Sequence, residues 1–119
     1  MKLNLHKKLN LCFDIDGVIC VTKNSNYRKS KPIKKNIKII NRLYKNNFHI
    51  TLFTARYMGR FKENISKVIK KKRIVEKQLK LWGVSYNRLL LGKPSYDLLI
   101  DDKALGYRKD WYKLFLKFL

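Results

Sequence analysis

Four short apolar runs, LCF, HITLFT, RLLL and DLLI, punctuate this chain and alternate with longer segments of helical periodicity, and that alternation limits the folds available to it. Strands separated by helical stretches are the pattern of a mostly parallel α/β sheet. The first strand is expected over about 10–15 and the second over HITLFT. RLLL and DLLI are expected to be strands three and four. Between the first two, Ile33, Ile37, Ile40 and Tyr44 recur at helical spacing, so a helix is expected over about 33–46, opened by Pro32 and ended by Asn46 and Asn47. From about 60 to 82 a second apolar stripe, Phe61, Ile65, Val68, Val75, Leu79 and Trp82, runs to Gly83, and the basic run KVIKKKRIVEK is where it would break in two. DWYKLFLKFL reads as a closing amphipathic helix capped by Asp110. There are no repeats and no linker, so residues 1–119 are expected to form one domain. A chain of this length buries roughly 60–70% of its extended surface, enough for one core without disulfides.

The acids are few and unevenly placed. Of eight, Asp14 and Asp16 follow LCF, and Asp101 and Asp102 follow DLLI. Asp14 and Asp16 point to the same side of an extended segment because strand side chains alternate. Two like charges at close range repel. Such a pair is a proton-sharing dyad, part of a metal site, or an Asp-x-Asp-Gly turn in which Gly17 supplies the positive φ and the carboxylates cap local amides. In open α/β sheets ligands gather beyond the carboxyl ends of the strands. Asp14 and Asp16, Thr54 with Arg56, Lys93, and Asp101 with Asp102 all fall at or just past such ends. Together they would supply acids, a hydroxyl and a lysine around one crevice, which suits phosphoryl chemistry.

In order along the chain, FDIDGVI, TLFTAR, Lys93 within LGKPSYD, and LLIDDKA resemble the four motifs of the haloacid dehalogenase superfamily. GKPSYDLLIDDKA and TARYMGR look most like small phosphatases of capsule and lipopolysaccharide biosynthesis. The resemblance implies a Rossmann-like three-layer sandwich and a magnesium-dependent phosphomonoesterase working through an aspartyl phosphate. It makes Asp14 the nucleophile and Asp16 the general acid and base. It gives Thr54, Ala55 and Lys93 to the phosphoryl group, and Asp14, Asp16, Asp101 and Asp102 to Mg2+. Arg56 and Arg60 are candidate substrate contacts. No segment is long enough for a cap domain, so an open site serving a sugar phosphate or another bulky intermediate of surface polysaccharide biosynthesis is implied. DLLIDDK also resembles 5'-deoxyribonucleotidases, which makes a 5'-nucleotidase the alternative.

Several residues have plainer readings. Thr54 outside its context is ordinary strand filling, and Lys93 is one lysine among many. Asp97 reads as a strand-start cap and His49 as a satisfied edge residue. Only GKPSY separates RLLL from DLLI, whereas a parallel crossover needs about a dozen residues. Strand three is therefore either short and peripheral, or the chain doubles back.

The formal charge of +21, from 29 basic and 8 acidic residues, opens a third reading, a basic nucleic-acid-binding module that keeps the fold. The bases are mostly lysines scattered among Asn and Ile, which compositional drift explains as well. Weak attraction of polyanions is expected in either case. Cys12 and Cys20 fit no metal-binding spacing and read as core or near-core thiols of a reducing compartment. Without a signal-like or membrane-spanning apolar run, the chain is expected in the cytoplasm.

Overall fold

The computed structural model describes residues 9–119, which form a compact α/β unit. Its strands are β1 (Asn10–Phe13), β2 (Cys20–Val21), β3 (Lys31–Pro32), β4 (His49–Thr54) and β5 (Arg88–Leu91). Its α-helices are α1 (Lys34–Lys45), α2 (Ile65–Ile69) and α3 (Lys72–Leu81), and residues 27–29 and 111–118 form 3-10 turns. β1, β4 and β5 make one parallel sheet with β4 in the centre. β2 and β3 pair as a small antiparallel hairpin.

The pleat decides what the parallel sheet buries. In register, Phe13 lies beside Leu52 and Leu52 beside Leu89, and with Leu11 and Ile50 they turn one face inward. On that face α1 contributes Ile37, Ile40 and Leu43, and α3 contributes Val75 and Leu79. Trp111 meets the ring of Phe13 edge-on at 5.2 Å, while Phe115 and Phe118 pack on Phe48. At the opposite face Cys12, Arg88 and Leu90 are exposed, so the second helical layer of a three-layer sandwich is not formed over these positions. Arg88 donates to Thr51 Oγ1 across that face.

The fourth strand does not form. Residues 97–100 pair with no strand among the described residues, so Asp97 caps none. RLLL keeps its parallel place beside β4, and GKPSY is too short to return the chain for another parallel strand. Other details also differ from the sequence reading. Pro32 sits in β3 rather than in the first turn of α1, which starts at Lys34 without a side-chain cap. The closing segment is a kinked 3-10 helix in which Asp110 caps nothing and instead pairs with Arg108 and Lys113. Cys12 is exposed, whereas Cys20 is buried. His49 opens the central strand with a buried Nδ1 that has no partner among the described residues, so it is not the satisfied edge residue expected. The stripe over 60–82 does divide, at Lys70 and Lys71.

Candidate functional site

At the carboxyl end of β1 the chain turns sharply. Gly17 adopts φ +90°, a region that a β-carbon disfavours, and its N–H donates to the Cys20 carbonyl. This turn holds Asp14 and Asp16 at the mouth of a pocket of about 230 Å3, which Thr22, Ser25, Tyr27, Ala55 and Arg56 also line. Beyond β5, Gly92 with φ +92° bends the chain back so that Lys93 N–H reaches the Thr54 carbonyl at 3.2 Å. Lys93 Nζ then lies 3.4 Å from Asp14 Oδ2 and over the ring of Tyr96. Three strand ends thus converge as the sequence implied.

The two carboxylates are held differently. Asp14 accepts from the N–H of Ile15 and faces Lys93, and its side chain keeps 37% exposure, which leaves an oxygen accessible. Asp16 is wrapped: Arg56 Nε donates to both of its oxygens at 3.1 and 3.0 Å, and Arg56 Nη2 donates to Oδ1 at 2.9 Å. The Thr22 hydroxyl donates to the same oxygen, and the Cys20 thiol lies 3.4 Å from it.

Arg56 itself is only 2% exposed. Its Nη1 donates to Gln78 Oε1 on α3, Gln78 Nε2 donates to the Tyr27 carbonyl, and the Tyr27 ring lies under the guanidinium. Burial alone would pull Arg56 down, but the hydrogen bonds and charge of Asp16 outweigh it and its pKa rises further. For Lys93 burial lowers the pKa, and Asp14 and Tyr96 together raise it more. For Cys20 burial dominates and raises the pKa, so it is a thiol at neutral pH.

The other expected site residues are distributed as follows. Thr54 is fully buried, and its hydroxyl accepts from the N–H of Arg56, shaping the turn beneath the pocket rather than facing into it. Ala55 lines the pocket. Arg60 lies over the rings of Tyr27 and Tyr57 and donates to the Ser25 carbonyl, joining the two loops that border the pocket. Ser25 and Tyr57, which these contacts hold, have φ of 54° and 70°, strained values for residues with a β-carbon. Asp101 and Asp102 are exposed, and Asp101 accepts from the nearby Lys103 N–H. They do not join Asp14 and Asp16: among the described residues no three His, Cys, Asp or Glu side chains gather as a metal-holding group. The arrangement offers a divalent cation two carboxylates, each already facing a base, and does not complete the ligand set that the resemblance implies. Gln78 was not foreseen as a site residue. It sits in a helical run with no signal that its amide would turn toward a strand end.

No family model matches the chain, and no curated protein matches it significantly. Its structure is similar to the crystal structure of an MCSG target from Vibrio cholerae, with a TM-score of 0.75 and 29% identity over 93% of this chain and 98% of that one. Among the described residues no helix is long and apolar enough to cross a membrane.

Proposed function

We propose that this chain is a phosphomonoester hydrolase of the haloacid dehalogenase type, Rossmann-like and without a cap, acting on a sugar phosphate or related intermediate of surface polysaccharide biosynthesis. The observation that carries this reading is the meeting of Asp14, Asp16, Ala55, Arg56 and Lys93 at the carboxyl ends of three parallel strands, with the more accessible carboxylate beside the lysine. Phosphate monoesters hydrolyse extremely slowly unaided, so a site must supply a nucleophile, proton transfer and charge cancellation together.

In this reading an Asp14 oxygen attacks phosphorus and forms an aspartyl phosphate while the ester P–O bond breaks. Asp16 gives a proton to the leaving oxygen, then takes one from the water that hydrolyses the acyl phosphate and restores Asp14. Lys93 balances charge on the transferred group. Arg56 is a positioning residue, since its guanidinium is occupied by Asp16, Gln78 and Tyr27 and fixes the direction of the Asp16 carboxylate. Magnesium belongs to the reading through the resemblance, with Asp101 and Asp102 expected to join Asp14 and Asp16, and no step above is routed through it.

The test is phosphate release from a panel of sugar phosphates and deoxynucleoside monophosphates, with magnesium or with chelator, by the wild type and Asp14→Asn. Turnover by the wild type and none by the folded variant is the expected result. A preference for deoxynucleotides would select the 5'-nucleotidase alternative, and an active Asp14→Asn variant would remove Asp14 from the chemistry.

A further inference from the structure

A groove of about 590 Å3 lies along α1, apart from the pocket of Asp14 and Asp16. Lys34, Lys38, Arg42 and Lys45 line it in helical succession, Pro32, Ile37 and Asn41 lie between them, and Leu81 and Trp82 close it at the end of α3. No acid lines it, and all four basic side chains are exposed. None takes part in an ion pair or a cation–π contact among the described residues, unlike Lys93, Arg56 and Arg60.

This arrangement works against the helix that carries it. Like charges one turn apart destabilise a helix by a few tenths of a kcal/mol per pair. α1 also has no acid in its first turn, so Lys34 and Lys35 face the positive end of its dipole. An anion laid along the groove would relieve both. The groove is also preformed: Asn41 Nδ2 donates to the Gly83 carbonyl at 2.8 Å, and Asn41 Oδ1 accepts from Ser85 N–H at 2.8 Å, clamping α1 to the turn after α3.

We propose that this groove binds single-stranded nucleic acid, with phosphates along the cations of α1 and a base stacked at Trp82. The charge is linear, with steps of about 6 Å between positions four residues apart, and it matches a ligand with regularly spaced anions. Pro32 and the buried Ile37 belong to the groove floor, and the well-exposed apolar surface lies at the α3 end, where Leu81 is 86% exposed beside a half-buried indole. That combination of a cationic track and an aromatic platform is how single strands are held without sequence preference. An acidic amphipathic helix would need an exposed apolar stripe along the groove, whereas Ile37 is only 6% exposed there and the exposed α1 side chains that line it are cationic. The site is independent of the hydrolase reading and shares no residue with its pocket.

The experiment follows tryptophan fluorescence of the full chain as oligo(dT) is added across a salt series, with polyglutamate as the competing polyanion. Binding should quench Trp82 more than polyglutamate does. Lys38→Glu/Arg42→Glu changes only exposed side chains and should flatten the dependence of log K on log salt by about 0.7 per lost contact. Lys70→Glu/Lys72→Glu, with the same change of net charge, should leave the slope in place. Trp82→Phe should abolish the quench while keeping a stacking ring, and Trp82→Ala should weaken binding about tenfold. Equal losses from the two double variants would reduce the groove to diffuse charge, and equal binding of polyglutamate would overturn the assignment to nucleic acid. Phosphate release by Lys38→Glu/Arg42→Glu should match the wild type, so the outcome here stands apart from that of the Asp14→Asn test.

Discussion

Asp14 with Asp16 and Asp101 with Asp102 are both acidic pairs beside an apolar run, yet they live in different surroundings. The first pair ends a strand bonded to β4, and each carboxylate faces a base: Lys93 at 3.4 Å for Asp14 and Arg56 at 2.9 Å for Asp16. The second follows a segment that pairs with no strand, between Leu98 at 77% and Ile100 at 90% exposure on one side and the Lys103 N–H on the other. An acid becomes part of a site when a neighbouring strand fixes its backbone and a buried base fixes its side chain. Apolar neighbours in sequence do not achieve this alone.

Breaking the ordered half should have the largest effect. Arg56→Met removes the one base that faces Asp16 among the described residues and leaves Gln78 Oε1 without its donor. Loss of one partner of a buried pair costs about 3–5 kcal/mol, and about 3 is expected here because the Asp16 side chain keeps 29% exposure. The urea midpoint should fall with an unchanged m-value, and a loss below about 1 kcal/mol would mean that the network is ornamental.

Magnesium would sharpen the contrast by drawing the two halves together. If Asp101 and Asp102 reach Asp14 and Asp16 around a cation, the wild type gains about 2.7 kcal/mol at a hundredfold excess over Kd. Its melting temperature should rise accordingly. Asp101→Asn/Asp102→Asn should lose that rise, and a rise that survives the double change would exclude the segment from the site.

The smallest effect is expected from the unpaired segment itself. Leu98→Ser/Ile100→Ser in the absence of metal should shift stability by no more than about 0.5 kcal/mol, as for exposed positions generally. A loss above about 1 kcal/mol in a thermal or urea melt would show that these side chains pack.

The parallel strands and α1 were legible because periodicity reports burial directly. β1, β4 and β5 coincide with LCF, HITLFT and RLLL, and α1 lies within a residue of its expected bounds at either end. DLLI misled because apolar content marks a strand only where an edge is available and the connection can reach it, and GKPSY cannot span a parallel crossover. The hairpin of β2 and β3 was illegible since two residues per strand carry no pattern. For the site, Asp14, Asp16 and Lys93 stood out through their places after strands, and Ala55 through the resemblance alone. Arg56 also stood out, but as a ligand for substrate, because its burial depends on Gln78 and Tyr27, contacts remote in sequence that no local spacing announces.

Among the described residues the parallel sheet has three strands, so β1 and β5 border it, each bonded on one side to β4. Every strand border left open in this way is a template for another copy of the chain, and the exposed Leu90 gives one border an adhesive face. Larger sheets hide their borders under helices or close into barrels. Here the defence against stacking is mutual repulsion between copies carrying +21 each, which ions weaken over about 10 Å at 0.1 M salt. The lysines that neither the Asp14 pocket nor the α1 groove uses thus carry a colloidal consequence, since each adds to the charge that opposes stacking of copies.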